Sequence, residues 1–211
     1  MENLKKIPKK EMKLLEPSYY QNEDVVYLAK DLLGKVIITN IDNMVTSAEI
    51  VETEAYNGIN DKACHAYNNR RTKRTSAMYK RGGVAYVYIC YGMHHLFNVV
   101  TGRENEPQAV LIRAVKPLDG INAMLARRKK NTLQRSLTAG PGALCQALGI
   151  TKEINETPLT SELIGIYGVF NNYREDDIQI SKRVGVAYAE DDALLPYRFR
   201  VKGSKWTSLA K

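Results

Sequence analysis

Glu52, Glu54 and Tyr56 alternate along the segment Ile50-Val51-Glu52-Thr53-Glu54-Ala55-Tyr56. In an extended strand their side chains share one face, with neighbours about 6.6 Å apart. Two carboxylates on an inward face are costly unless they are partnered or used in chemistry. Sugar-bond hydrolysis employs such a pair, one group as acid and the other as base or nucleophile. The competing reading is an exposed sheet face carrying salt bridges. Residue type and spacing alone do not separate Glu52 from Glu54.

A second cluster lies just downstream. Between Lys62 and Arg103 there are eight basic residues and no Asp or Glu, and Tyr67, Tyr79, Tyr86, Tyr88 and Tyr91 fall inside this stretch. The chain has 31 Lys and Arg against 23 Asp and Glu, so these eight cations account for the whole net charge of +8. Such a patch attracts phosphate backbones through its long-range field and counterion release, unless it is simply a solvated loop. Aromatics interleaved with cations suit base stacking, at roughly 1–3 kcal/mol per stacked base. Tyr91 sits just before a Gly turn, where it can project from a hairpin tip and wedge into a duplex. Strand tyrosines that merely pack with their hydroxyls at the surface are the plainer alternative.

Other chemistries fit less well. Cys64, Cys90 and Cys145 show no CxxC spacing, and with His65, His94 and His95 they match no zinc pattern, so no metal is expected. No thiol has the positioned base that a nucleophile needs. Gly140-Pro141-Gly142 is not a dinucleotide fingerprint, because Cys145 stands where the third Gly or Ala belongs. It reads as a helix start, and no cofactor is expected.

The elements that must carry these residues are legible from periodicity. Residues 1–17 read as a flexible lead-in, and 18–211 as one domain. Val25, Leu28, Ala29, Leu32 and Leu33 form one apolar helical face, capped by Asn22 and ended at Gly34. Period-two segments predict strands at 36–39, 47–56, 84–91, 96–101 and 109–115, with shorter ones at 164–167, 178–180 and 199–201. Residues 57–83 read as a long surface excursion, of a kind that is either functional or disordered. Helices are expected over 121–130, ending in Arg127-Arg128-Lys129-Lys130 as a dipole cap or a DNA-facing tail, and after Gly140-Pro141. Residues 153–192 hold nine acids against three bases and are expected to face away from any polyanion. The fold class is α+β: a curved, mainly antiparallel sheet flanked by helices. No apolar run reaches the roughly 18 residues of a membrane span, and the N-terminus lacks a signal-peptide core, which suggests a cytoplasmic protein.

The motifs Val51–Tyr56, His65, Tyr86–Met93 with Asn98, Leu111–Ala114, Gly140-Pro141, Arg183-Val184-Gly185 and Gly203-Ser204 with Trp206 occur in one order. Together they resemble the alkyladenine (3-methyladenine) DNA glycosylases of the mammalian type, over residues 18 to 208. The resemblance implies a monomeric, monofunctional enzyme that flips damaged purines from double-stranded DNA and begins base excision repair on nucleoid DNA. It implies Glu54 as the base that activates water and Arg113 as its partner, which sets Glu52 outside the catalytic role. Tyr56, His65 and Tyr88 match the walls around the flipped base, and Asn98 the residue crowding the amino group of guanine. Tyr91 matches the intercalating wedge, while Met93, Arg70, Thr72 and Arg74 match the DNA-contact surface. His94-His95-Leu96 departs from the more aromatic residues expected there. Two rivals remain: a non-enzymatic nucleic-acid-binding module, which leaves Glu54 idle, and a helix-hairpin-helix glycosylase, which needs a catalytic Asp where the next acid is Glu153.

Overall fold

The computed structural model of the chain describes residues 12–169 and 171–209. Its helices and strands are α1 (Val25–Asp31), β1 (Lys35–Ile41), β2 (Met44–Tyr56), β3 (Ala85–Cys90), β4 (His94–Thr101), β5 (Gln108–Asp119), α2 (Ile121–Arg127), α3 (Pro141–Leu148), β6 (Ile164–Val169), β7 (Ile178–Ser181) and β8 (Arg198–Val201). Every strand predicted from period-two patterning is present, most of them a few residues longer. The strands pair antiparallel in the order β3-β4-β5-β2-β1-β6, and β8 joins β2 while carrying β7. This is the curved antiparallel sheet of an α+β fold. Of the lead-in expected at 1–17, residues 1–11 lie outside the described residues; Leu14 bridges to Tyr167, and Leu15 packs on the core.

β2 organises the sheet. One of its edges runs along β5 from Ser47 to Tyr56, whereas the other is shared, with residues 44–49 pairing with β1 and 52–54 with β8. The register slips between Ile50 and Thr53, a bulge where the division falls. Bulges bend a strand and re-aim its side chains. Here the alternation changes phase: Ala48 and Ile50 lie in the main core, and beyond the bulge Val51 and Ala55 do. Because the side-chain period is two, that slip turns Glu52, Glu54 and Tyr56 to the opposite face.

The core face is covered by helices. α1 packs on β2 and β5, and α3 on β4 and β5. Leu28, Leu32, Leu144 and Leu148 meet Ile50, Phe97, Ile112 and Val115 there, all essentially buried. α1 is capped two residues later than its sequence suggests. Asp24 Oδ1 accepts the Tyr27 N–H at 2.9 Å, whereas Asn22 Oδ1 accepts the N–H of Asp24 itself. Both Asx residues satisfy a cap, and the apolar face begins at Val25, which selects the later one.

The other face carries a smaller core. Cys64, Ala66, Ala77, Met78 and Tyr79 from the excursion pack on Tyr86, Val100 and Ala109. The excursion is therefore folded down onto the sheet by its apolar residues, with its cations left outside.

Candidate active site

One cross-strand row defines the site. Arg198 pairs with Glu54, Glu54 with Leu111, Leu111 with Asn98, and Asn98 with Tyr86, across five strands. At about 4.8 Å per strand, Glu54 stands roughly 10 Å from Asn98 along the row. These side chains share the face turned by the bulge, away from the helices.

Both carboxylates are fully buried. Oε1 of Glu54 accepts the Val184 N–H at 2.8 Å and lies 3.3 Å from Arg113 Nη1, while Oε2 accepts the Tyr56 hydroxyl at 2.9 Å. Burial raises its pKa above the ordinary carboxylate value, and Arg113, Val184 and Tyr56 pull it back. Glu52 is partnered differently. Its Oε1 receives Arg113 Nε at 3.1 Å, Arg198 Nε at 2.8 Å and the Ser208 hydroxyl at 2.9 Å, and its Oε2 receives the Ser208 N–H at 2.6 Å. Glu52 thus clamps one side of the Arg113 guanidinium, leaving another nitrogen to reach Glu54. The sequence-based alternative of an exposed, salt-bridged face is wrong because β8 and the segment around Ser208 cover it.

Three partners of Glu54, namely Tyr56, Arg113 and Val184, line a cleft of about 620 Å³ together with His65, Arg74, Tyr88 and Asn98. His65 stands edge-on to Tyr88 with ring centroids 4.7 Å apart. Its Nδ1 is 2.8 Å from the Tyr86 hydroxyl, and its Nε2 is 3.2 Å from Arg74 Nη2. A guanidinium only donates, so Nε2 is the acceptor and Nδ1 carries the proton. Burial, with Arg74 and Arg70 nearby, pushes the His65 pKa down to about 4, which keeps the ring neutral. Asn98 is buried and donates to the Tyr86 carbonyl at 3.1 Å.

The β3–β4 hairpin closes one side. Met93 N–H donates to the Cys90 carbonyl, and the central residues Tyr91 and Gly92 have φ of +50° and +71°, the backbone sign of a type I′ turn. Tyr91 is 88% exposed and Met93 71% exposed. Tyr91 lines the cleft, whereas Met93 borders a neighbouring hollow with His94 and His95. Arg70 and Thr72 line a third cavity of about 800 Å³ with Lys62 and Arg74. The structure therefore gathers Tyr56, His65, Tyr88, Tyr91, Asn98, Arg113 and Arg74 at one cleft, keeps Glu54 buried against the lining residues Tyr56, Arg113 and Val184, and sets Met93, Arg70 and Thr72 beside it.

Two expectations need correction. The acidic stretch 153–192 does not turn its back on the basic segment. Val184, Gly185 and Tyr188 line the cleft, Glu190 pairs with Lys62, and Glu156 with Lys80 at 2.6 Å. The sequence average hid Arg183, which is buried on Asp61 and Ala55 and so carries Val184 to Glu54. Arg127 and Arg128 are held to the fold rather than in a tail, and Arg128 also lines the cleft. Arg127 donates to the Ile41 carbonyl at 2.9 Å and Arg128 to that of Ser136 at 3.1 Å, tying α2 to its neighbours. Arg198 and Ser208 carry no local sequence signal, since their partner Glu52 lies about 150 positions away. Among the described residues no group of His, Cys, Asp and Glu could hold a metal ion, and no helix is long and apolar enough to cross a membrane.

The sequence model of methylpurine-DNA glycosylases (MPG) matches residues 18–205. A protein of Chlamydia felis is 50% identical over 195 residues, covering 91% of this chain and 99% of its own. One of Desulfitobacterium hafniense is 43% identical over 205 residues, covering 94% and 100%, and one of Clostridium acetobutylicum is 42% identical over 207, covering 95% and 99%. Each carries the name "putative 3-methyladenine DNA glycosylase".

Proposed function

The chain belongs to the methylpurine-DNA glycosylase family, a family of DNA-repair hydrolases of N-glycosyl bonds. From that premise we propose that it extrudes damaged purines from duplex DNA into the cleft, and that a water activated by Glu54 cuts the glycosidic bond without cutting the strand. The observation that carries this reading is the acceptor count at Glu54. An ionised carboxylate has about four acceptor sites. Val184 and Arg113 take those of Oε1 and Tyr56 takes one of Oε2, which leaves one on Oε2 for a proton of water.

The water oxygen attacks the sugar carbon and its proton passes to Glu54, while the electron pair of the C–N bond leaves with the base. Alkylation at the 3 or 7 position makes the purine cationic, so it departs as a neutral molecule and is a good leaving group. Arg113 keeps Glu54 ionised and fixed as positive charge develops on the sugar. Tyr56 on one side, with His65 and Tyr88 on the other, offers ring faces that favour a cationic base by about 0.5–2 kcal/mol over a neutral one. Asn98 bars the amino group of normal guanine, and Tyr91 fills the gap in the duplex. Arg70, Thr72, Arg74 and Met93 belong to the DNA-facing surface, and the enzyme acts as a monomer on nucleoid DNA in the cytoplasm. Among the described residues no lysine lines the cleft, so an amine adduct that would lead to strand cleavage has no donor there.

Incubating the protein with alkylated duplex and separating the products tests the reading. Free alkylpurine should appear while the strand stays intact until heated in alkali. Release of no base, or a nick formed in step with base release, contradicts it. Including deaminated and etheno purines in the panel defines the substrate range.

A further inference from the structure

Arg74 stands where two cavities meet, since it lines both the cleft and the basic cavity beside it. Its guanidinium lies 4.6 Å from the centroid of the Tyr88 ring and donates to His65 Nε2 at 3.2 Å. Those are the two side chains that the proposed function gives to one wall of the base pocket. The arginine therefore holds the cation–π position on Tyr88 that a positively charged purine needs.

We propose that Arg74 is a specificity-determining competitor for that wall, covering Tyr88 when no base is bound and moving to a backbone phosphate in the basic cavity when a nucleotide is extruded. The local structure permits the move. Thr75 is buried and its hydroxyl donates to the Arg70 carbonyl at 2.9 Å, while the Thr72 N–H donates to Thr75 Oγ1 at 2.9 Å. The backbone on both sides of Arg74 is thus tied down while its side chain is exposed, so the guanidinium can change partners without unfolding the loop. No carboxylate is paired with it among the described residues. Arg70 gives the alternative position positive charge that a phosphate would neutralise, whereas Lys62 there is already paired with Glu190.

This arrangement sets a threshold for entry. A cationic alkylpurine replaces one cation on Tyr88 with another, and its charge then repels Arg74 toward the phosphate. A neutral, undamaged purine must displace the guanidinium without restoring the cation–π contact. Arg74 would in this way favour alkylated over normal bases without touching the reacting atoms.

The inference rests on the base-pocket reading, and two measurements keep the two apart. The first is calorimetric binding of free 3-methyladenine to the DNA-free protein. An exposed cation–π contact is worth about two- to fivefold in affinity, so Arg74→Ala should bind the free base about two- to fivefold more tightly than wild type. Arg74→Lys, which keeps the charge but not the planar stack, should also bind it more tightly. The second is the salt dependence of binding to a duplex with a tetrahydrofuran abasic site. Arg74→Ala should lose about 0.9 of the log–log slope and Arg74→Lys should keep it. Unchanged or weaker free-base binding by Arg74→Ala overturns the competitor role and leaves the pocket reading standing. Free base that binds none of the three proteins overturns both.

Discussion

Three donors reach the carboxylate of Glu54 and four reach that of Glu52, and this difference in partners separates two identical residues on one strand. Glu52 is the anchor of a buried ion-pair network. Removing one member of such a network leaves an uncompensated charge and costs about 3–5 kcal/mol. Glu52→Ala should therefore lower the melting temperature markedly and reduce excision through a displaced Arg113, measurable by calorimetry beside a release assay. A variant as stable as wild type would show the network to be idle. Glu54 behaves in the opposite sense. Burial holds its folded pKa above the ordinary carboxylate value, so the folded state keeps a proton that the unfolded state has lost, and stability falls as pH rises through that window. Glu54→Gln lacks this penalty. Its melting temperature relative to wild type should rise from pH 4.5 upward, and a difference independent of pH would count against the buried, raised carboxylate.

At the scale of elements, the β3–β4 hairpin and the bulge in β2 do the positioning. Tyr91 adopts a left-handed backbone that costs a non-glycine residue about 1–2 kcal/mol, and strain of this kind accompanies function. Tyr91→Gly should raise stability by about 1 kcal/mol, whereas excision from duplex falls more than excision from single strands; equal losses on both substrates would remove the wedge role. Much of this was legible in advance. Period-two segments predicted all eight strands, and the positions of Glu52, Glu54 and Tyr56 on one face followed from the same rule. The bulge was not legible, because a slip in register depends on the partners β5, β1 and β8 rather than on residues 50–53 themselves. Hence the sequence placed the carboxylates together but could not say that β8 and Ser208 would bury them. The cap of α1 moved from Asn22 to Asp24 for a related reason: both residues can cap, and packing of Val25 decides.

For the whole molecule, charge is the property that the sequence overstated. The eight cations between Lys62 and Arg103 looked free, yet Lys62, Lys80 and Arg103 are paired with Glu190, Glu156 and Glu23. Their partners come from outside the stretch, so no window of sequence could reveal them. If the five remaining cations meet phosphates, the slope of log affinity against log salt should be no steeper than about −4.5 on duplex DNA. A slope near −7, as eight free cations require, would show that the ion pairs open on binding. The Arg183 bridge to Asp61 makes the same point about catalysis, since an acidic stretch expected to lie far from DNA supplies the N–H that orients Glu54.

Activation of water by Glu54 is the step on which the proposed reaction turns. Single-turnover release of 3-methyladenine from duplex by Glu54→Gln, with binding to the same duplex measured in parallel, tests it most directly. Release should slow by about 10²–10⁴-fold with affinity within a few-fold of wild type. Release at the wild-type rate would contradict it.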